Sequence, residues 1–217
     1  MHADDSYRGK TKYDDSTALA YRNRPPRQDA AEMTLIDRVF RYVPRSHRVL
    51  DVPCGAGRVA AHLARMGYRV TAADYSLAMV DIARQNLHKN SLDIPVEQQD
   101  VEALTYADGQ FDTIICFRLF HHFPDAEIRQ KAVSELCRVA RTFVALAYFS
   151  PYAWSSMRTR LRIALGGRGS QKFATPLSEV EGYFRQRGFF LVRDFPRRRF
   201  MHTLHVALFE RGSPRGG

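Results

Sequence analysis

The sequence lacks most of what would mark a secreted, membrane-spanning or metal-dependent chain. Among 217 residues only three are cysteine, Cys54, Cys116 and Cys137, and none stands at a CxxC or metal-ligand spacing. An odd, unpatterned set of thiols argues against a disulfide framework and a zinc module, so no metal is expected and a reducing cytoplasm is. No apolar run approaches the roughly 18 residues that cross a bilayer. The opening residues, Met1-His2-Ala3-Asp4-Asp5-Ser6, are polar and do not read as a secretory leader. Internal repeats and low-complexity tracts are also missing. Acid is scarce at one end: residues 151–217 hold 13 basic and 4 acidic side chains, whereas residues 1–150 hold 20 and 19. The net charge of +10 is therefore a local cationic surface on the last third of the chain.

What is present is the composition of a globular protein, 45% hydrophobic and 26% charged, at a length suited to one α/β domain. Residues 1–30 are polar, and Arg24-Pro25-Pro26-Arg27 reads as a break in regular structure. Met33, Leu35, Ile36, Val39 and Phe40 then recur near a 3.6 period, predicting an amphipathic helix from Ala31 to Tyr42. Beyond it, short apolar runs alternate with helical stretches. Strands are expected at Arg48–Val52, Arg69–Ala73, Val96–Gln99, Phe111–Phe117 and Thr142–Phe149, and helices at Arg58–Met66, Leu77–Leu87 and Ala126–Ala140. That alternation builds βαβ units and a parallel sheet buried on both faces. An Arg-rich helix from Ser155, a helix over Leu177–Arg187 and two final strands, Phe189–Phe195 and Thr203–Glu210, complete the reading. The last two strands are spaced for an antiparallel hairpin at the sheet edge.

The chemistry concentrates at strand ends. Asp51-Val52-Pro53-Cys54-Gly55-Ala56-Gly57 sits where the first strand turns into a helix. Gly55 and Gly57 permit a tight turn and close approach of a ligand to the backbone, and free helix N–H groups lie just beyond. Asp74 ends the second strand, placed to take the hydroxyls of a ribose. Asp100 ends the third, where a carboxylate can accept from an exocyclic amine beside the Val101 N–H. Each acid alone reads equally as a cap or a solvated loop residue; three at successive strand ends are harder to dismiss.

Asp-x-x-x-Gly-x-Gly, the acid after the second strand, Asp100-Val101-Glu102-Ala103-Leu104, and Phe120-His121-His122-Phe123-Pro124-Asp125 together resemble the class I S-adenosylmethionine-dependent methyltransferases. The resemblance covers about residues 48–150 in detail. It implies a Rossmann-like α/β fold: a seven-stranded, mostly parallel sheet with helices on both faces and a C-terminal antiparallel hairpin. It also implies S-adenosyl-L-methionine as cofactor and S-adenosyl-L-homocysteine as product. Asp51 would face the amino group of the methionine moiety, with Pro53, Gly55 and Gly57 under the cofactor. Asp74 would hold the ribose, Tyr75 and Met79 would flank the adenine, Asp100 and Val101 would read its edge, and Phe117 and Arg118 would lie beside the methionine portion. Tyr13 and Tyr21 belong to an arm similar to the family's lid, or else are helix-packing aromatics. The resulting division is a lid over 1–30, a cofactor-binding core over 31–150, a basic acceptor-side insertion over 151–175, and the last helix and hairpin over 176–217. Pro53 departs from the family's usual glycine and removes one main-chain donor.

A dinucleotide enzyme is the nearest rival, since Gly55-Ala56-Gly57-Arg58-Val59-Ala60 also fits G-x-G-x-x-A. Asp51 would repel a pyrophosphate there, and no Ser–Tyr–Lys hydride-transfer set is visible. Methyl transfer needs alignment of nucleophile, methyl carbon and sulfur, and a base only if the acceptor arrives protonated. His122 and His121 are the catalytic candidates; the alternative is one packed at the strand end and one solvated. Tyr152 and Trp154 with Arg158 and Arg162 fit an anionic small molecule or a lipid- or saccharide-linked acceptor. RNA, peripheral contact with an anionic membrane, and a non-catalytic cofactor-binding domain remain as other readings, with no obligate protein partner.

Overall fold

The computed structural model describes residues 26–152, 173–197 and 203–212. Tyr13, Tyr21, Trp154, Arg158 and Arg162 lie outside the described residues.

The elements follow in order α1 (Pro26–Phe40), β1 (Arg48–Asp51), α2 (Arg58–Arg65), β2 (Arg69–Asp74), α3 (Leu77–Lys89), β3 (Val96–Gln98), β4 (Phe111–Cys116), a single 3-10 turn (Phe120–His122), α4 (Ala126–Val139), β5 (Ala140–Phe149), α5 (Leu177–Arg185), β6 (Phe189–Pro196) and β7 (Leu204–Arg211). The strands form one seven-stranded sheet in the order β3-β2-β1-β4-β5-β7-β6. The first five run parallel, and β7 pairs antiparallel with both β5 and β6. Strand order reverses between β1 and β4, where Asp51 stands opposite Ala72 on one side and Ile115 on the other. That reversal is the switch point at which open α/β sheets gather ligands.

Two apolar layers explain why both sheet faces are covered. On one face Leu35, Ile36 and Val39 of α1, Val59 and Leu63 of α2, and Val80 and Ala83 of α3 pack against Val49, Val70, Ala72 and Ile115. On the other, Val133 and Leu136 of α4 and Val180 and Phe184 of α5 pack against Leu50, Ile114, Val144 and Phe209. The Phe184 and Phe209 rings stack with centroids 3.8 Å apart, joining α5 to β7. Caps fix where helices begin: Asp125 accepts from the Ile128 N–H at 2.9 Å to open α4, and the Ser76 hydroxyl accepts from Met79 to open α3.

Three expectations need correction. The Arg24–Arg27 segment does not simply break the chain, because Pro26 starts α1 five residues before the expected Ala31. Proline's fixed φ suits a first helical turn, whose N–H has no intrahelical partner anyway. The boundary placed at residue 30 between arm and core therefore falls inside a helix. The third strand ends at Gln98, so Asp100 stands just beyond it. The fifth strand begins at Ala140 directly after α4, without a separate turn.

Candidate active site

The turn after β1 is held from both sides by the two acids that precede its neighbouring helices. Asp51 is fully buried, and its Oδ2 accepts from the Ala60 N–H in the first turn of α2 at 3.0 Å. Asp74 Oδ2 accepts from the Gly55 N–H at 2.8 Å and Oδ1 from the Ser76 N–H at 3.0 Å. Gly55 and Gly57 take φ values of 54° and 80°, the left-handed region that favours glycine. The Val52–Pro53 peptide is cis. The structure shows that both acids build the loop they border.

Electrostatics single out Asp51. Burial holds its carboxyl well above the usual carboxylate range, against the opposing pull of the Ala60 N–H, and the nearby Asp74 adds to the rise. Burial likewise raises Asp74, opposed by the N–H groups of Ser76 and Gly55. Asp51 Oδ1 is a buried acceptor with no hydrogen-bond partner among the described residues. An orphaned carboxylate oxygen at a strand-order reversal calls for a donor, best a cationic one, from a ligand. The donor set fits the ammonium end of an amino-acid-bearing cofactor.

The other expected cofactor contacts spread along the same sheet end. Asp100 follows β3, its Oδ1 accepting from the Glu102 N–H at 3.0 Å, while Gln99 N–H bonds the Asp74 carbonyl and ties the two loops. Val101, Met79 and Phe117 are buried. Tyr75 is 45% exposed just past the end of β2, next to the exposed Leu77. Arg118, two residues past β4, holds a φ of 65° without being glycine. Near the end of β5, Tyr152 is 74% and Phe173 41% exposed.

The histidine expectation changes most. His121 and His122 are only 1% and 5% exposed, so neither is the solvated residue one reading allowed. His121 lies flat on Phe149 with ring centroids 4.0 Å apart and an interplanar angle of 1°. Its carbonyl accepts from the Phe173 N–H at 2.9 Å. His121 is thereby built into the packing of the strand ends. Replacing it by alanine is expected to lower stability by about 1–3 kcal/mol, from the lost stack and the cavity left behind. Urea denaturation checks this; an unchanged midpoint would mean that the His121–Phe149 stack contributes nothing to stability.

Sequence reading missed two clusters. Glu32 of α1 is completely buried and accepts from Arg58 at 3.0 Å and from Arg118 at 2.5 Å. His205 Nδ1 lies 2.6 Å from Asp194 Oδ2 across β7 and β6, close to the buried Tyr148. Neither carries a sequence signal, since the partners are far apart or sit on separate strands.

A parallel α/β sheet with glycine turn and acids at its switch point defines a nucleotide-type cofactor-binding domain. Residues 49–142 match the model of a methyltransferase domain. That segment, somewhat less than half of the chain, is similar to methyltransferase domains. A ubiquinone biosynthesis O-methyltransferase of Coxiella burnetii is 37% identical over 83 residues, 38% of this chain and 36% of the relative. One of Methylocella silvestris is 38% identical over 88 residues, 39% of this chain and 34% of the relative. The match thus spans about a third of those relatives' length. Among solved structures, magnesium protoporphyrin IX methyltransferase of Synechocystis PCC 6803 superposes with a TM-score of 0.73 at 20% identity, covering 97% of this chain and all of that one. A protein of Pyrococcus horikoshii OT3 gives 0.71 at 18% identity over 87% and 92% of the two chains.

Proposed function

We propose that this chain transfers the methyl group of S-adenosylmethionine to an oxygen of a small molecule that joins an aromatic or apolar body to an anionic group. The unpartnered, buried Oδ1 of Asp51 at the switch point carries the cofactor part of this reading. When bound, the cofactor supplies an activated methyl carbon on a sulfonium, so little covalent chemistry falls to the protein. Asp51 would hold the ammonium group, Tyr75 and Met79 would bracket the adenine, and Asp74 would hold the ribose while it keeps Gly55 in place. The relatives named as O-methyltransferases support oxygen as acceptor. Exposed Tyr152 and Phe173 offer apolar surface at the acceptor side, and the basic last third supplies charge for an anion. Three buried, free thiols suit a reducing cytoplasmic setting.

Two measurements test this reading. Calorimetric titration should show S-adenosylhomocysteine binding and NADPH binding far more weakly; the reverse order would end the methyltransferase reading. Methyl-labelled cofactor offered with the protein to extract divided into RNA, lipid and small-molecule fractions should label the small-molecule fraction. Label in RNA would instead make the basic segment an RNA contact, and that activity should then collapse with salt.

A further inference from the structure

Glu32 joins three elements that the sequence keeps far apart. It belongs to α1, and its carboxylate is fully buried. Oε2 accepts from Nη2 of Arg58, the first residue of α2 after the glycine turn, at 3.0 Å. Oε1 accepts from Nη1 of Arg118, past the tip of β4, at 2.5 Å. Arg58 also pairs with Asp29 of the same α1 helix. One buried acid thus spans from α1 to both sides of the switch point, because β1 and β4 are adjacent strands.

The backbone at Arg118 shows why that contact matters. A left-handed φ at a residue with a Cβ is costly and persists only where its surroundings over-determine it. A charge-assisted hydrogen bond to a fully buried carboxylate is such a determinant. It uses one of the five guanidinium N–H donors and leaves the others to a ligand. The arginine side chain keeps 16% of its surface accessible, whereas Glu32 keeps none.

We propose that Glu32 is a positioning residue for cofactor binding: it holds Arg118 at the edge of the crevice and locks α1 onto the glycine turn. The proposal rests on the methyltransferase reading above. Glu32 acts through Arg118 and touches neither cofactor nor acceptor, so its loss is felt in cofactor affinity rather than in the transfer step.

The experiment compares wild type with Glu32→Gln, Glu32→Asp, Arg118→Gln and the double variant Glu32→Gln/Arg118→Gln. Affinity for S-adenosylhomocysteine is read by calorimetry, and KM and kcat are read with the acceptor identified by labelling. Glu32→Gln is expected to weaken S-adenosylhomocysteine about tenfold and to raise cofactor KM equally, with kcat and acceptor KM within twofold of wild type. Glu32→Asp should recover part of the loss. The double variant should bind no more weakly than Arg118→Gln, because the two residues act as one unit. A folded Glu32→Gln protein that binds within twofold of wild type, or losses that simply multiply in the double variant, overturns the proposal. Should Glu32→Gln fail to fold, Arg118→Gln decides: binding within twofold of wild type overturns the proposal, and a tenfold loss at unchanged kcat supports it. Wild type that binds no S-adenosylhomocysteine at all defeats the methyltransferase reading itself and takes this proposal with it.

Discussion

Asp51→Asn is expected to weaken S-adenosylhomocysteine binding about a hundredfold while leaving the fold at least as stable as wild type at neutral pH. The affinity loss, about 2.7 kcal/mol, is that of a charge-assisted hydrogen bond to a cation in a dry site. Stability should move the other way because asparagine can still accept from the Ala60 N–H, and it carries no buried charge. The pH dependence gives this a distinct signature. Burial raises the Asp51 carboxyl above its unfolded range of about 3.9. As pH rises from there, the unfolded chain releases its proton first, the folded chain binds more protons, and wild-type stability falls. The penalty is absent below the unfolded pKa and complete above the raised folded value. Asp74 is raised chiefly by its own burial, which the substitution leaves in place. Urea denaturation across acid to neutral pH should therefore show the advantage of Asp51→Asn growing with pH. A variant that binds S-adenosylhomocysteine as tightly as wild type would remove Asp51 from the cofactor contacts.

The second large effect is at Gly57. A valine there must adopt a φ of 80°, and the first added carbon already meets Leu87 Cγ at 3.3 Å and Ala83 Cβ at 3.4 Å on α3. Left-handed strain of about 1–2 kcal/mol and overpacking of about 1–3 kcal/mol add to roughly 3 kcal/mol. For a chain of this size that lowers Tm on the order of 10 °C. Gly109 provides the control: it also has positive φ, 62°, but none of the described residues lies within 4 Å of an added carbon. Gly109→Val should thus show the strain alone. Equal Tm losses at the two positions would mean that packing of the turn against α3 contributes nothing.

How much of this was legible in the amino acids depends on the range of the interaction. The alternation of Val- and Ile-rich runs with amphipathic helices reports a local period, so β1 through α4 stand close to where the sequence places them. Gly55, Gly57, Asp51 and Asp74 were legible because the turn chemistry needs those residue types within a few positions of a strand end. The Glu32–Arg118 contact was not, since 86 residues separate its partners and neither flank is unusual. Pro26 misled because the same ring that ends a helix is tolerated at its first turn. His121 shows the remaining gap: a motif gives residue identity, and its burial against Phe149 is settled only by tertiary packing.

The position of β7 between β5 and β6 has a consequence for biosynthesis. A ribosome delivers β5 long before β7, so the outer rim of β5 stays an unpaired ladder of amide and carbonyl groups until residues 204–211 emerge. Such a rim recruits strands from neighbouring nascent chains. Premature termination anywhere between Phe149 and Leu204 should therefore yield a sticky, chaperone-dependent polypeptide rather than a smaller folded domain.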